Sequence, residues 1–489
     1  MRTVLILAVI AALAIVLVLF TANVGAAPKL DRNQRPTPGP VPPVVTPRIV
    51  RVTLSNGLPV WVVTRRELPL VDAVLQIRAG AAQDGAHPGI AAVTASLLDE
   101  GTSTRSSLEF AGAVDLLGAN LSASGGIEQT SVSLLTLSRH LDAALGLMGE
   151  MVVHPAFKAD ELERERKARL QNLKQQKDVA TTIADKVLNL VLYGEDHPYG
   201  HPVGGTTASI AAIARDDVAG FYDRYYRPNN AVLIVVGDVT AEVLAPKLEK
   251  AFAGWTAGTV AAEAATAPAR PAAKPAAVYL VDKPNAAQSE IRIGQPGTSR
   301  TADPDYYALQ VLNTTLGGQF TSRINLNLRE RHGYTYGARS TWAFRRGDGP
   351  FVASGGVFTA KTDSSLVEFL RELQDIRGSR PITEKETEFA RNGLLRGYPR
   401  RFETPDATAG VLAELALHGL PDGEIANYLA QIGRVKPEDV TRVAAKYLTP
   451  DQFAIVVVGD LATIRPGIEA LNLGPITVLD ADGKPVVAQ

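Results

Sequence analysis

One pattern occurs twice in this chain. Asp217-Val-Ala-Gly-Phe-Tyr-Asp-Arg-Tyr-Tyr-Arg-Pro-Asn-Asn-Ala-Val-Leu-Ile-Val-Val-Gly-Asp-Val239 returns as Asp439-Val-Thr-Arg-Val-Ala-Ala-Lys-Tyr-Leu-Thr-Pro-Asp-Gln-Phe-Ala-Ile-Val-Val-Val-Gly-Asp-Leu461. At an offset of 222 residues, Asp217, Val218, Tyr225, Pro228 and Gly237-Asp238 fall on Asp439, Val440, Tyr447, Pro450 and Gly459-Asp460. Self-similarity at a fixed offset marks an internal duplication. Each copy predicts a helix, a Pro-containing turn, and a buried β-branched strand that stops at Gly-Asp. The fold class that follows is α+β, with two like domains, each a sheet covered by helices. The 489 residues suffice for two such cores.

Breaks in the pattern set the boundaries. Val50 to Leu54 and Val60 to Val63 flank Asn56-Gly57, a hairpin signal, and Val71 to Ile77 reads as a further strand. The first domain spans 50–255, and the Ala/Pro/Thr-rich stretch 256–277 is a linker. A second domain, 278–472, opens on a strand at Val278 and continues into a helix with Tyr306, Leu309 and Leu312 at helical spacing. Residues 473–489 read as a loose tail. At the other end, Met1-Arg2 precedes an apolar run of 17 residues, Val4 to Phe20, then the small residues Val24-Gly25-Ala26-Ala27. Residues 1–27 therefore read as a secretory signal or a retained N-terminal anchor, and 28–49 as a Pro-rich tether. Export to a periplasm, with or without attachment to the inner membrane, is the expected address. A net charge of -1 without a basic run gives no reason to expect nucleic acid. The lack of cysteine excludes disulfides, thiolate metal sites and a cysteine-linked lipid anchor.

The stretch Gly317-Gly-Gln-Phe-Thr-Ser-Arg-Ile-Asn-Leu-Asn-Leu-Arg-Glu-Arg-His-Gly-Tyr-Thr-Tyr-Gly-Ala-Arg-Ser340 carries the candidate chemistry. Ser322 suits an N-cap, Ile324 and Leu328 lie one helical turn apart, and Gly333 suits a left-handed helix end. Arg329 then sits in the last turn and Tyr336 in the strand that leaves. A turn-back at Gly333 brings a guanidinium and a phenol to one surface, where both can donate hydrogen bonds to a carbonyl oxygen. The alternative on these residues alone is structural: Arg329 complements the helix C-terminus and Tyr336 fills the sheet.

This stretch resembles the second-domain signature of the M16 family of metallopeptidases (insulinase, pitrilysin, mitochondrial processing peptidase), in which Ser-Arg-hydrophobic leads to Leu-Arg-Glu, Gly and Tyr. The resemblance implies that Arg329 and Tyr336 bind substrate and steady the oxyanion, and that two like domains face one another as half of a clam shell. It also implies a helix bearing the inverted zinc motif His-x-x-Glu-His ahead of Gly-Thr. Here the apolar helix expected over Gly89 to Gly101 runs to Gly101-Thr102, and that register puts Ala92 and Ser96 where the histidines belong and Ala95 where the general base belongs. The third ligand, a Glu, falls in Arg166 to Lys177, where Asn172 takes its place. Alanine has no lone pair to offer and a neutral serine hydroxyl is a poor zinc ligand. The segment Leu116 to Ser124 resembles the strand that pairs with substrate backbone, a sequence-tolerant mode of binding; an ordinary sheet strand is the simpler reading of its side chains. His197 and His201 lie in a Pro/Gly-rich loop, so their spacing does not make a helical metal pair.

The expected function is that of a zinc-less subunit, inactive alone and binding no cofactor, that supplies Arg329 and Tyr336 to an active, zinc-bearing M16-like partner cleaving peptides or unfolded polypeptides. Two other readings stand beside it: an envelope scaffold or binding protein with this fold, and a self-sufficient metallopeptidase with another metal site.

Overall fold

The computed structural model describes residues 39–40, 43–262, 266–301 and 304–486. The signal or anchor at 1–27 and most of the tether lie outside the described residues. Two six-stranded sheets organise residues 43 to 486. The first comprises β1 (Val50–Thr53), β2 (Pro59–Thr64), β3 (Leu70–Ile77), β4 (Asn120–Gly125), β5 (Thr130–Leu137) and β6 (Ala231–Gly237), in the order β1-β2-β6-β3-β5-β4. The second comprises β7 (Ala277–Asp282), β8 (Gln288–Pro296), β9 (Thr335–Trp342), β10 (Pro350–Phe358), β11 (Ala454–Gly459) and β12 (Ile476–Leu479), in the order β12-β7-β11-β8-β10-β9.

The duplication read from sequence is present element by element. The helix Arg215–Tyr225, the turn Pro228–Asn230 and β6 match the helix Pro437–Tyr447, the turn Pro450–Gln452 and β11. Both strands are central and run parallel to one neighbour, β6 to β2 and β11 to β7. A strand buried on both faces needs the continuous apolar run that Val-Leu-Ile-Val-Val and Ile-Val-Val-Val supply. The hairpin at Asn56-Gly57 forms as expected, with Gly57 at φ +86 and Val52 opposite Val60.

Two expectations are corrected. The stretch 473–489, expected as a loose tail, is ordered through its described residues 473–486: β12 pairs in parallel with β7, and Asp482 forms ion pairs with Lys177 and Lys186. β12 gives the second sheet the flanking strand that β1 gives the first, so opposite ends of the globular sequence complete the two sheets. The Gly89–Gly101 helix is also shorter than its apolar run implies, spanning only Ile90–Ser96 before the chain turns at Gly101 (φ +107). Its apolar composition reflects burial on several sides; Ile90 to Ala95 are all buried.

The halves exchange cover. The helix Ala180–Tyr193, from the first half, packs on β8 and β11, and Ile183, Val187 and Leu188 join Val281, Val456 and Val458 in one core. The helix Pro405–His418, from the second half, packs on β3 and β6, whose Ile234 and Val236 share a core with Leu412 and Leu415. Among the described residues no helix is long and apolar enough to cross a membrane.

Candidate functional site

Ala92 and Ser96 occupy one face of the Ile90–Ser96 helix, and Ala95 is fully buried. The helix lies against the end of the edge strand β4, close enough that a Cβ on Gly125 would stand 2.8 Å from the Ala92 Cα. A long helix, Ala159–Gln176, passes alongside and brings Arg169 to the position where the two histidines of the resemblance would meet a metal. Its guanidinium donates to the Ala92 carbonyl at 2.9 Å and to the Ser96 hydroxyl, and pairs with Glu165 at 2.7 Å. Ser96 in turn donates to the Ala92 carbonyl at 3.0 Å. Asn172 points elsewhere, accepting from Gln176.

Zinc does not fit this set. Two methyl groups offer no electron pair, both oxygens of the helix are engaged, and a fixed guanidinium repels a second cation at contact distance. Among the described residues no three His, Asp or Glu side chains gather as metal ligands. The missing ligands are legible in the sequence; of the replacement it shows only that Glu165 and Arg169, four residues apart, share one helical face.

The second-domain stretch is built around close backbone approach. Gly317 accepts from the Ser340 amide at 3.1 Å, and a Cβ on Gly317 would stand 2.1 Å from that nitrogen. Buried Asn325 donates to the Phe320 carbonyl and accepts from the Ala338 amide, tying the glycine loop to β9. Ser322 holds the N-cap position with extended backbone, but its side chain makes no capping bond. The expected helix begins as Arg323–Asn325 and then widens into a π-helical Leu326–Arg331, with the His332 amide donating to the Asn327 carbonyl. π-Helical segments insert one residue per turn and concentrate at functional sites. Gly333 (φ +65) ends it in the left-handed conformation, as its position in the sequence implies.

Arg329 and Tyr336 then line one cleft of about 500 Å³, together with Phe320, Arg339 and, from the first half, Thr181. The Arg329 guanidinium lies 4.5 Å from the centroid of the Phe320 ring, with Glu330 at 3.3 Å. The Tyr336 side chain is 78% exposed, its ring meeting Phe358 edge-on at 6.2 Å. Neither residue is spent on structure: the guanidinium is only lightly paired and the phenol faces solvent. Below them, buried Arg292 pairs with Asp185 and Glu290, and so fixes the first-half helix to the cleft's floor.

The segment 116–124 divides: Leu116 ends a helix, and Asn120–Gly125 forms β4, whose one strand neighbour among the described residues is β5. His197 bonds the Ala269 carbonyl at 2.9 Å, and His201 lies 3.8 Å from Asp84. Burial lowers the pKa of His201.

Comparison with known proteins places these features among relatives. The sequence pattern of insulinase (peptidase family M16) matches residues 62–205, and that of the peptidase M16 inactive domain matches residues 212–394. An uncharacterized zinc protease of Mycobacterium leprae is 27% identical over 85% of this chain and 92% of its own length. An uncharacterized zinc protease of Bacillus subtilis is 26% identical over 69% of this chain and 79% of its own. A peptidase M16 inactive domain from Pseudomonas fluorescens superposes with a TM-score of 0.78 at 27% identity, covering 84% of this chain and 98% of that one. A chain of complex III2 from Candida albicans shares the fold at a TM-score of 0.71 and 16% identity, covering 86% of this chain and 99% of that one.

Proposed function

From the premise that the chain belongs to the M16 peptidase family, we propose that it is a non-catalytic subunit that lends a substrate-binding surface to an active, zinc-bearing partner. The observation that carries this reading is an asymmetry between its halves. At the first-half helix pair, Arg169 fills the metal position; in the second half, Arg329 and Tyr336 stand open to a cleft. In this reading the partner generates the nucleophile. Arg329 and Tyr336 donate hydrogen bonds to the scissile carbonyl and to the negative charge that grows on its oxygen. Phe320 lies against the guanidinium, its ring centroid 4.5 Å from the guanidinium carbon, and helps to hold it in the cleft. The substrate is an extended peptide or unfolded polypeptide, and the setting is the periplasm to which the N-terminal segment directs the chain.

The test is peptide hydrolysis by this chain copurified with its partner. Arg329→Ala is expected to lower the rate by about 100- to 1,000-fold, while metal analysis of the isolated chain finds no stoichiometric zinc. Full activity of the Arg329→Ala complex would remove the proposed role. Hydrolysis by the isolated chain, blocked by a chelator, would remove the subunit reading as well.

A further inference from the structure

The cleft that holds Arg329 and Tyr336 carries a further charge that the carbonyl-binding pair leaves unused. In β9, Ala338 stands opposite Gly355 and Thr335 opposite Val357, so Tyr336 and Gly337 both face Gly356, which makes a β-bulge. The Thr335 hydroxyl closes it, donating to the Gly356 carbonyl at 2.6 Å and accepting from the Gly337 amide at 3.0 Å. Residues three apart in an unbroken strand point to opposite faces. The extra residue cancels that alternation, so Tyr336 and Arg339 are both exposed while Thr335, Ala338 and Ser340 are buried.

Cross-strand register fixes where Arg339 points. It lies opposite Ser354 of β10, which lies opposite Arg292 of β8, so the three form a row on one face of the sheet. The helix Ala180–Tyr193 covers that face over β8 and β11, and there Asp185 and Glu290 balance Arg292 at 2.6 and 2.9 Å. Beyond the helix the same face is the floor of the cleft, which Arg339 lines. Arg329 has Glu330 at 3.3 Å, whereas Arg339 has no hydrogen-bond or ion-pair partner among the described residues. Glu290, the one acid among the described lining residues, is committed to Arg292. The cleft is therefore net positive, with its uncompensated charge at Arg339.

Three residues of β9, from Tyr336 to Arg339, span roughly 10 Å at about 3.3 Å each, and an extended peptide covers the same distance in about three residues. A guanidinium takes a carboxylate in a bidentate pair and repels an ammonium. We propose that Arg339 makes this cleft select peptides with a carboxylate, from an acidic side chain or a free C-terminus, about two to three residues from the carbonyl that Arg329 and Tyr336 hold. The proposal rests on the peptide-binding role given above; Arg339 sets which peptides are taken, not how they react.

Fluorescence anisotropy on the whole chain tests it without the partner. The probes are short labelled peptides, amidated at the C-terminus, that carry Glu, Gln or Lys at matching positions, and the Gln peptide with a free C-terminus. At low salt the Glu peptide, the free C-terminus, or both are expected to bind about 3- to 10-fold more tightly than the amidated Gln peptide, and the Lys peptide more weakly. Which of the two gains affinity identifies the source of the carboxylate, and the gap closes as salt is added. Arg339→Gln is expected to abolish the preference and Arg339→Glu to turn it toward the Lys peptide. Arg339 is exposed, so unfolding curves of both variants that overlay the parent's establish that binding, not folding, has changed. Peptides that bind the parent without regard to charge, or a preference for carboxylate that survives in Arg339→Glu, would overturn the proposal and leave the peptide-binding role standing. Binding of none of the probes would remove both.

Discussion

Arg169 shows how a single side chain converts one kind of site into another. Where a metal would draw lone pairs together, its guanidinium supplies positive charge to the Ala92 carbonyl and Ser96 hydroxyl, and Glu165 balances it. The helix pair keeps its spacing without a cation. A different solution appears at Asp72, on β3, whose Oδ1 is buried without a partner. Burial, and then the nearby charge of Asp406, raise its pKa to about 6. The folded chain therefore holds this proton more tightly than the unfolded chain does. Stability is greatest below the unfolded value, is lost as pH rises through about 6, and is flat above it. A shift of that size corresponds to an expected gain on the order of 3 kcal/mol for Asp72→Asn at about pH 8, and almost none at about pH 3. Urea unfolding at the two pH values checks it; an equal effect at both would show that the carboxylate is not the cause.

At the scale of elements, the glycine loop, the π-helical turn and β9 form one device that presents Arg329 and Tyr336. Gly317 is needed there for close approach, since a Cβ would collide with Ser340. Gly317→Ala is expected to lower stability by about 1–3 kcal/mol and to lower the hydrolytic rate of the complex with it. Gly410→Ala, in an exposed helical position with open space around it, is expected to raise stability by about 0.5–1 kcal/mol and leave the rate unchanged. Denaturant unfolding compares the two, and a neutral Gly317→Ala would show that the loop can move off the strand. Much of this device was legible in the sequence. Gly333, Arg329 and Tyr336 follow from local rules about helix ends and strands, and so do the Asn56-Gly57 hairpin and both copies of the helix-turn-strand unit. The π-helical widening was not legible, because it depends on Asn325 being claimed by the loop and β9 rather than by its own helix. Arg169 and β12 escaped for the same reason: each is defined by a partner far away in sequence, and no local pattern announces Ser96 or β7.

On the scale of the whole molecule, the exchanged helices mean that the two halves are not separate folding units, although the sequence repeats. Separated from the second half, the first leaves Ile234 and Val236 of its sheet uncovered, and its helix residues Ile183, Val187 and Leu188 lose their partners. Separated from the first, the second leaves Val281, Val456 and Val458 uncovered together with its helix residues Val411, Leu412 and Leu415. Each fully buried Val, Leu or Ile contributes roughly 1.5–3 kcal/mol, so uncovering five or six on either side removes about 10 kcal/mol. That is comparable to the roughly 5–15 kcal/mol by which whole domains are stable. Cutting the chain in the linker and expressing 43–262 or 266–486 alone is therefore expected to yield insoluble or unfolded protein. Expressing both pieces together is expected to restore a soluble complex, because each brings the helix the other lacks. Calorimetry of the intact chain is expected to show one cooperative transition. Two well-separated transitions, or a stable, soluble first half on its own, would show that the exchanged helices are accessories to domains already complete without them.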